Sequence, residues 1–154
     1  MTIYVIDSSA LVKRYVGEIG SNWVRGIFEP TLNNEVFIAA ITAVEIIAAI
    51  TRRSLGGSLS TTEAIAIRQQ FKNDCDKQYQ IVEIGEDIIN SGMALAEIYG
   101  LRAYDAIQLA VGCAVNSFAI ANGLHPIIFV SADNELNAAV VKEGLIMENP
   151  NMSP

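Results

Sequence analysis

Short apolar runs rich in β-branched residues recur along this chain, each followed by a stretch with helical spacing, and this alternation constrains the fold more than any other feature. Ile3 to Ile6 is one such run; it holds Tyr, Val and two Ile and stops at Asp7-Ser8-Ser9, as a buried strand entering a turn does. Val36 to Ala40 is a second and Ile127 to Val130 a third, while Gln80 to Ile84 alternates polar with apolar residues. Strands that are apolar on both faces must be covered on both faces. The expectation is an α/β fold, a three-layer α/β/α sandwich with a mainly parallel central sheet.

The helices are marked by their caps and breakers. One begins near Ser9 and stops before Gly17, and a second, Ser21 to Phe28, ends at Pro30. Thr42-Ala43-Val44-Glu45 and Ser60-Thr61-Thr62-Glu63 both have the capping-box pattern. The first predicts a helix to about Arg53, closed by Gly56 and Gly57. The second predicts a helix to about Tyr79 with Ala64, Ile67 and Phe71 on one face, giving an antiparallel pair. Asp87 to Tyr99 and Ala103 to Ala121, separated by Gly100, complete the set with Asn134 to Glu143.

The 154 residues, 51% of them hydrophobic, suffice for one well-filled core and exclude a disordered binding tail. A single domain is expected over 1–148, with 149–154 a short C-terminal tail. The most apolar stretch, Val36 to Ile50, is interrupted by Thr42 and Glu45 and is shorter than the roughly 20 residues a membrane helix needs. No basic segment followed by an apolar run marks the amino terminus, so a cytoplasmic protein without a membrane segment is expected. Cys75 and Cys113 have no zinc-site spacing and read as reduced thiols. His125, the only histidine, sits in a turn before Pro126 and reads as a loop residue.

In parallel α/β sheets ligands bind just beyond the carboxyl ends of the strands. Asp7 and Asp133 stand at two such ends, each in a position where an acid could also simply cap the next helix. Glu45 and Asp105 interrupt otherwise apolar helices, although Glu45 could close its capping box and Asp105 could sit in a first turn or pair with Arg102. Two carboxylates 4 Å apart repel by about 4 kcal/mol at an effective dielectric of about 20, so gathered acids protonate or bind cations. Oxygen donors select Mg2+ or Mn2+, which orient and activate water for attack on a phosphodiester. A net charge of -7 opposes general attraction to nucleic acid, but carboxylates loaded with metal lose that charge locally.

The motifs carrying these acids resemble those of the PIN-domain family, and especially the VapC-like ribonuclease toxins of bacterial and archaeal toxin–antitoxin pairs. Val5-Ile6-Asp7-Ser8-Ser9-Ala10-Leu11-Val12-Lys13 resembles the family's first-strand motif, Thr42 to Glu45 its central acidic helix, and Arg102 to Ala110 its third motif. Ser131-Ala132-Asp133 is similar to the last, with Ser131 where Thr is more frequent. The resemblance spans nearly the whole chain. It implies that Asp7, Glu45, Asp105 and Asp133 hold one or two Mg2+ or Mn2+ ions, the fourth more weakly or through water, and that Ser8, Ser9 and Ser131 support the site. It also implies RNA as substrate, a cognate antitoxin and a homodimer. Lys13, Arg14, Arg52 and Arg53 lie near the motifs and could meet RNA phosphates.

Two other functions share parts of this pattern. A phosphotransfer domain also places an Asp after its first strand. A haloacid-dehalogenase type, however, would carry a second Asp where this chain has Ser9, and a receiver would need a Lys near Ser131. A catalytically silent PIN-like protein that binds RNA or a partner is the other, and the complete set of acids argues against it.

Overall fold

The computed structural model describes residues 1–154, and the sheet is parallel throughout. Its strands are β1 (Ile3–Ile6), β2 (Glu35–Ala39), β3 (Tyr79–Val82), β4 (Ile128–Val130) and β5 (Ile146–Glu148), in the spatial order β3-β2-β1-β4-β5. Seven helices connect them: α1 (Ser8–Tyr15), α2 (Ser21–Ile27), α3 (Ala40–Leu55), α4 (Thr61–Lys77), α5 (Glu86–Tyr99), α6 (Ala103–Ala121) and α7 (Asn134–Lys142). The chain builds outward from β1 to β2 and β3, then returns to the other side of β1 for β4 and β5. The order therefore reverses between β1 and β4, the crevice where α/β sheets bind ligands.

The apolar strands are explained by two separate cores. Ile3 and Val5 of β1 face one core with Phe129, Leu109 and Leu136; Ile6 faces the other with Ile38, Ile46, Phe71 and Val130. Side chains alternate across a strand, so both faces of β1 are buried in protein. α5, α6 and α7 supply the first core, and α1, α2, α3 and α4 the second. Helix α6 is long and apolar enough by composition to cross a membrane, yet here it packs on β1, β2, α5 and α7. Gly112 lets it approach the sheet, since a Cβ there would lie 2.6 Å from Cδ2 of Phe129.

Two details differ from the sequence expectations. Helix α3 begins at Ala40 with Ala39 as its cap, two residues before Thr42, so Thr42 and Glu45 form no capping box. The box at Ser60 and Glu63 does form, with Glu63 N donating to Ser60 Oγ at 3.1 Å. Strand β5 was not anticipated, because three mixed-polarity residues at a sheet edge carry no periodic signal. Within the short C-terminal tail, 149–154, the chain is also locally ordered. Pro150 to Met152 form a 3-10 turn, and buried Pro150 packs against Gly20, whose φ of +85° and lack of a Cβ leave the space.

Candidate active site

Parallel pairing of β1 with β4 sets Ile6 opposite Val130, and Asp7 N continues the ladder by donating to Val130 O at 3.1 Å. Asp7 and Ser131 are thereby neighbours although 124 residues apart. Ser131 Oγ donates to Asp7 Oδ2 at 2.7 Å, while Ser9 Oγ and Ala10 N donate to Oδ1 at 2.7 and 3.0 Å. Asp7 thus caps α1, but it is also 3% exposed and held by two hydroxyls. Burial outweighs those donors and pushes its carboxyl up to about 6. Ser9 Oγ further accepts from Ala132 N at 2.9 Å and Ser131 Oγ accepts from Asp133 N at 3.0 Å, tying the two strand ends together.

Glu45 is fixed by neutral donors from two other elements. Ser8 Oγ donates to its Oε2 at 2.9 Å, and Gln108 Nε2 of α6 donates to its Oε1 at 3.2 Å. The same amide nitrogen donates to Thr42 Oγ1 at 2.7 Å. Thr42 and Glu45 therefore serve a bridge between α3 and α6 rather than a helix start.

Asp105 lies in the first turn of α6 and Asp133 caps α7, accepting from Leu136 N at 3.0 Å through Oδ1. Partial burial, with the negative charges of Asp133, Glu135 and Glu45 around it, pushes Asp105 up to about 6 against the pull of Arg102. All four acids line one cavity of about 220 Å3 together with Ser8, Ser9 and Gln108. None belongs to any of the three ion pairs in the protein, which join Lys13 to Glu18, Arg14 to Asp74 and Arg53 to Glu18. No three of the acids stand close enough to grip one ion directly as they are placed, so the gathering is looser than the crowding argument expected. The volume matches several waters at about 30 Å3 each, and magnesium commonly keeps part of its hydration shell. A cavity of that size, lined by four carboxylates against the one cation of Arg102, fits a hydrated hard cation.

The four basic residues separate. Arg52 and Arg53 line a groove of about 660 Å3 that runs along α3 from Ser8, Ser9 and Glu45. Lys13 is buried and paired with Glu18 at 3.4 Å, and Arg53 reaches the same acid at 3.6 Å. Arg14 is engaged within the fold. Its guanidinium lies 3.7 Å over the Phe28 ring and donates to Tyr79 Oη and Gln78 Oε1 at 2.7 and 2.6 Å, so it ties α1 to β3. His125 lies in a different cavity beside Met1 and Pro126, at the opposite ends of the strands, and both cysteines are free thiols.

Sequence reasoning missed Gln108, Thr42 and Tyr104. Gln108 and Thr42 each stand one turn from an acid, Asp105 and Glu45, in apolar helices, which was the available signal. Tyr104 precedes Asp105, is 59% exposed and lines both the cavity and the groove.

The parallel order, the reversal between β1 and β4 and the acids gathered there define a three-layer α/β protein with an acidic crevice. The model of the PIN domain matches residues 4–139, and this chain belongs to the PIN-domain family. No curated protein matches it by sequence. Among solved structures it is similar to FitAcB from Neisseria gonorrhoeae, with TM-score 0.62 and 13% identity over 96% of this chain and 97% of that one. A toxin–antitoxin complex from Klebsiella pneumoniae gives 0.61 and 18% over 96% and 97%. VapC20 of Mycobacterium tuberculosis, a Sarcin-Ricin loop cleaving toxin, gives 0.61 and 13% over 88% and 94%. At these identities the likeness is one of fold.

Proposed function

We propose that this protein is a metal-dependent endoribonuclease, the toxin of a toxin–antitoxin pair, with Asp7, Glu45, Asp105 and Asp133 as its catalytic and metal-holding residues. The observation that carries the reading is the gathering of four carboxylates from four separate segments around one cavity with no ion-pair partner for any of them. Four carboxylates gathered against the one cation of Arg102, with Asp7 buried, are costly to hold, and a function that needs the charge is the reason to keep them.

Asp7 is the rigid member, held by Ser9, Ser131 and the α1 amide of Ala10. Glu45 is aimed by Ser8 and Gln108. Asp105 is only partly buried, and Asp133 keeps Oδ2 clear of protein donors. Mg2+ or Mn2+ held by these oxygens would lower the pKa of a water and neutralise charge building on a phosphodiester. Arg52 and Arg53 give the RNA strand its phosphate contacts along the groove, and Tyr104 offers a ring on which a base can stack. An antitoxin partner is supported by the shared fold with the Klebsiella pneumoniae toxin–antitoxin complex, and a homodimer is part of the same proposal.

The test incubates purified protein with RNA and Mn2+ beside an Asp7→Asn control. Cleavage that needs both the metal and Asp7 is expected. Absence of metal-dependent cleavage of any RNA overturns the reading.

A further inference from the structure

Gln108 lies in the second turn of α6 between Ile107 and Leu109 and is 2% exposed. A position so enclosed is ordinarily apolar, because burying an amide without partners costs about 1–3 kcal/mol. Both Nε2 hydrogens are used, one on Thr42 Oγ1 and one on Glu45 Oε1. Glu45 is an acceptor only when ionised, so it fixes which end of the amide faces it. Oε1 is then left buried and without any partner in the protein, on a residue that lines the acidic cavity. The cavity's other polar walls are the four carboxylates with Ser8, Ser9, Arg102 and Tyr104, and none of them donates to Oε1.

Resting on the reading above that this cavity binds a divalent cation, we infer that Gln108 is a positioning residue of the site: its amide nitrogen holds Glu45 toward the cavity and its carbonyl oxygen accepts from the water shell of the cation. The bond to Thr42 uses the other amide hydrogen, so the tie to Thr42 is separable from the hold on Glu45. Outer partners of this kind typically change metal affinity by 10–100-fold when removed.

The experiment titrates Mn2+ into the intact protein by calorimetry without RNA. It compares wild type with Gln108→Met, which keeps the volume and loses the polar atoms, and with Thr42→Val, which removes only that tie. Gln108→Met is expected to weaken Mn2+ binding at least tenfold with helical content unchanged, while Thr42→Val stays within twofold. In cleavage assays kcat falls in Gln108→Met and KM for RNA does not move. If Gln108→Met does not fold, Gln108→Asn keeps an amide one methylene short of Glu45 and must show the same loss. Binding within twofold of wild type in a folded Gln108 variant overturns the inference alone, as does an equal loss in Thr42→Val, which would make the amide a helix tie. Wild-type protein that takes up no Mn2+ sinks this inference and the proposed metal site together.

Discussion

Replacing Asp105 by Asn tests whether this acid is held at a cost to the fold. Its carboxyl is raised from 3.8 to about 6, by burial first and then by Asp133, Glu135 and Glu45. Two pH units correspond to about 3 kcal/mol of penalty on the ionised form. The side chain is half-exposed, so solvent screening reduces this to about 1 kcal/mol. Losing an acid from the first turn of α6 returns a few tenths of that in the opposite direction. The net expectation for Asp105→Asn in chelator at pH 7.5 is a gain of about 0.5–1 kcal/mol, or about 2–3 °C in Tm for a chain of this size. The sign follows from the raised folded-state pKa. Wild-type stability from this group is intact below the unfolded value of 3.8 and is lost as pH rises through about 6. The variant's advantage should therefore be full at pH 7.5 and vanish near pH 4. Urea unfolding of both proteins at pH 7.5, 5.5 and 4 reads this directly. Excess Mn2+ at pH 7.5 should reverse the ranking, since a ligand stabilises the form that binds it more tightly, and cleavage should be lost in the variant. An Asp105→Asn protein less stable than wild type at pH 7.5, or an advantage that does not change with pH, refutes the reasoning.

Metal uptake should itself depend on pH. Asp7 and Asp105 are both raised to about 6, so each must lose a proton to ligate. Mn2+ affinity measured by calorimetry should fall on the order of 10–100-fold between pH 7.5 and 5, and a pH-independent affinity would remove both acids from the ligand set. Gly112→Ala should destabilise the protein by about 1–3 kcal/mol in thermal or urea unfolding, because the new methyl would meet the Phe129 ring at 2.6 Å. Arg14→Met should cost about 2–3 kcal/mol, since it strands Asp74, itself 2% exposed, without its cation. Cleavage per folded molecule should be unchanged in Arg14→Met, and a selective rise in KM for RNA would return Arg14 to the binding groove.

The sequence by itself determined the class of fold. Val5, Ile38 and Phe129 sit in runs apolar on both faces, and only a sheet covered on both sides accommodates such strands. Asp7 and Asp133 were legible as site candidates because they end strands, and Asp105 because it breaks an apolar helix. What the tertiary structure decided is which dull role each polar residue does or does not play. Thr42 and Glu45 have a capping-box pattern, but local spacing cannot say where a helix begins when the preceding strand delivers the chain to Ala40. Arg14 stands five residues after a motif serine pair, as a phosphate contact would. Packing gives it Phe28, Tyr79 and Gln78 instead, residues 14 to 65 positions away. Gln108 was silent for the same reason. A buried amide acquires its meaning only from what lies across the helix interface, and no periodicity within one helix encodes the partner that another helix brings to it.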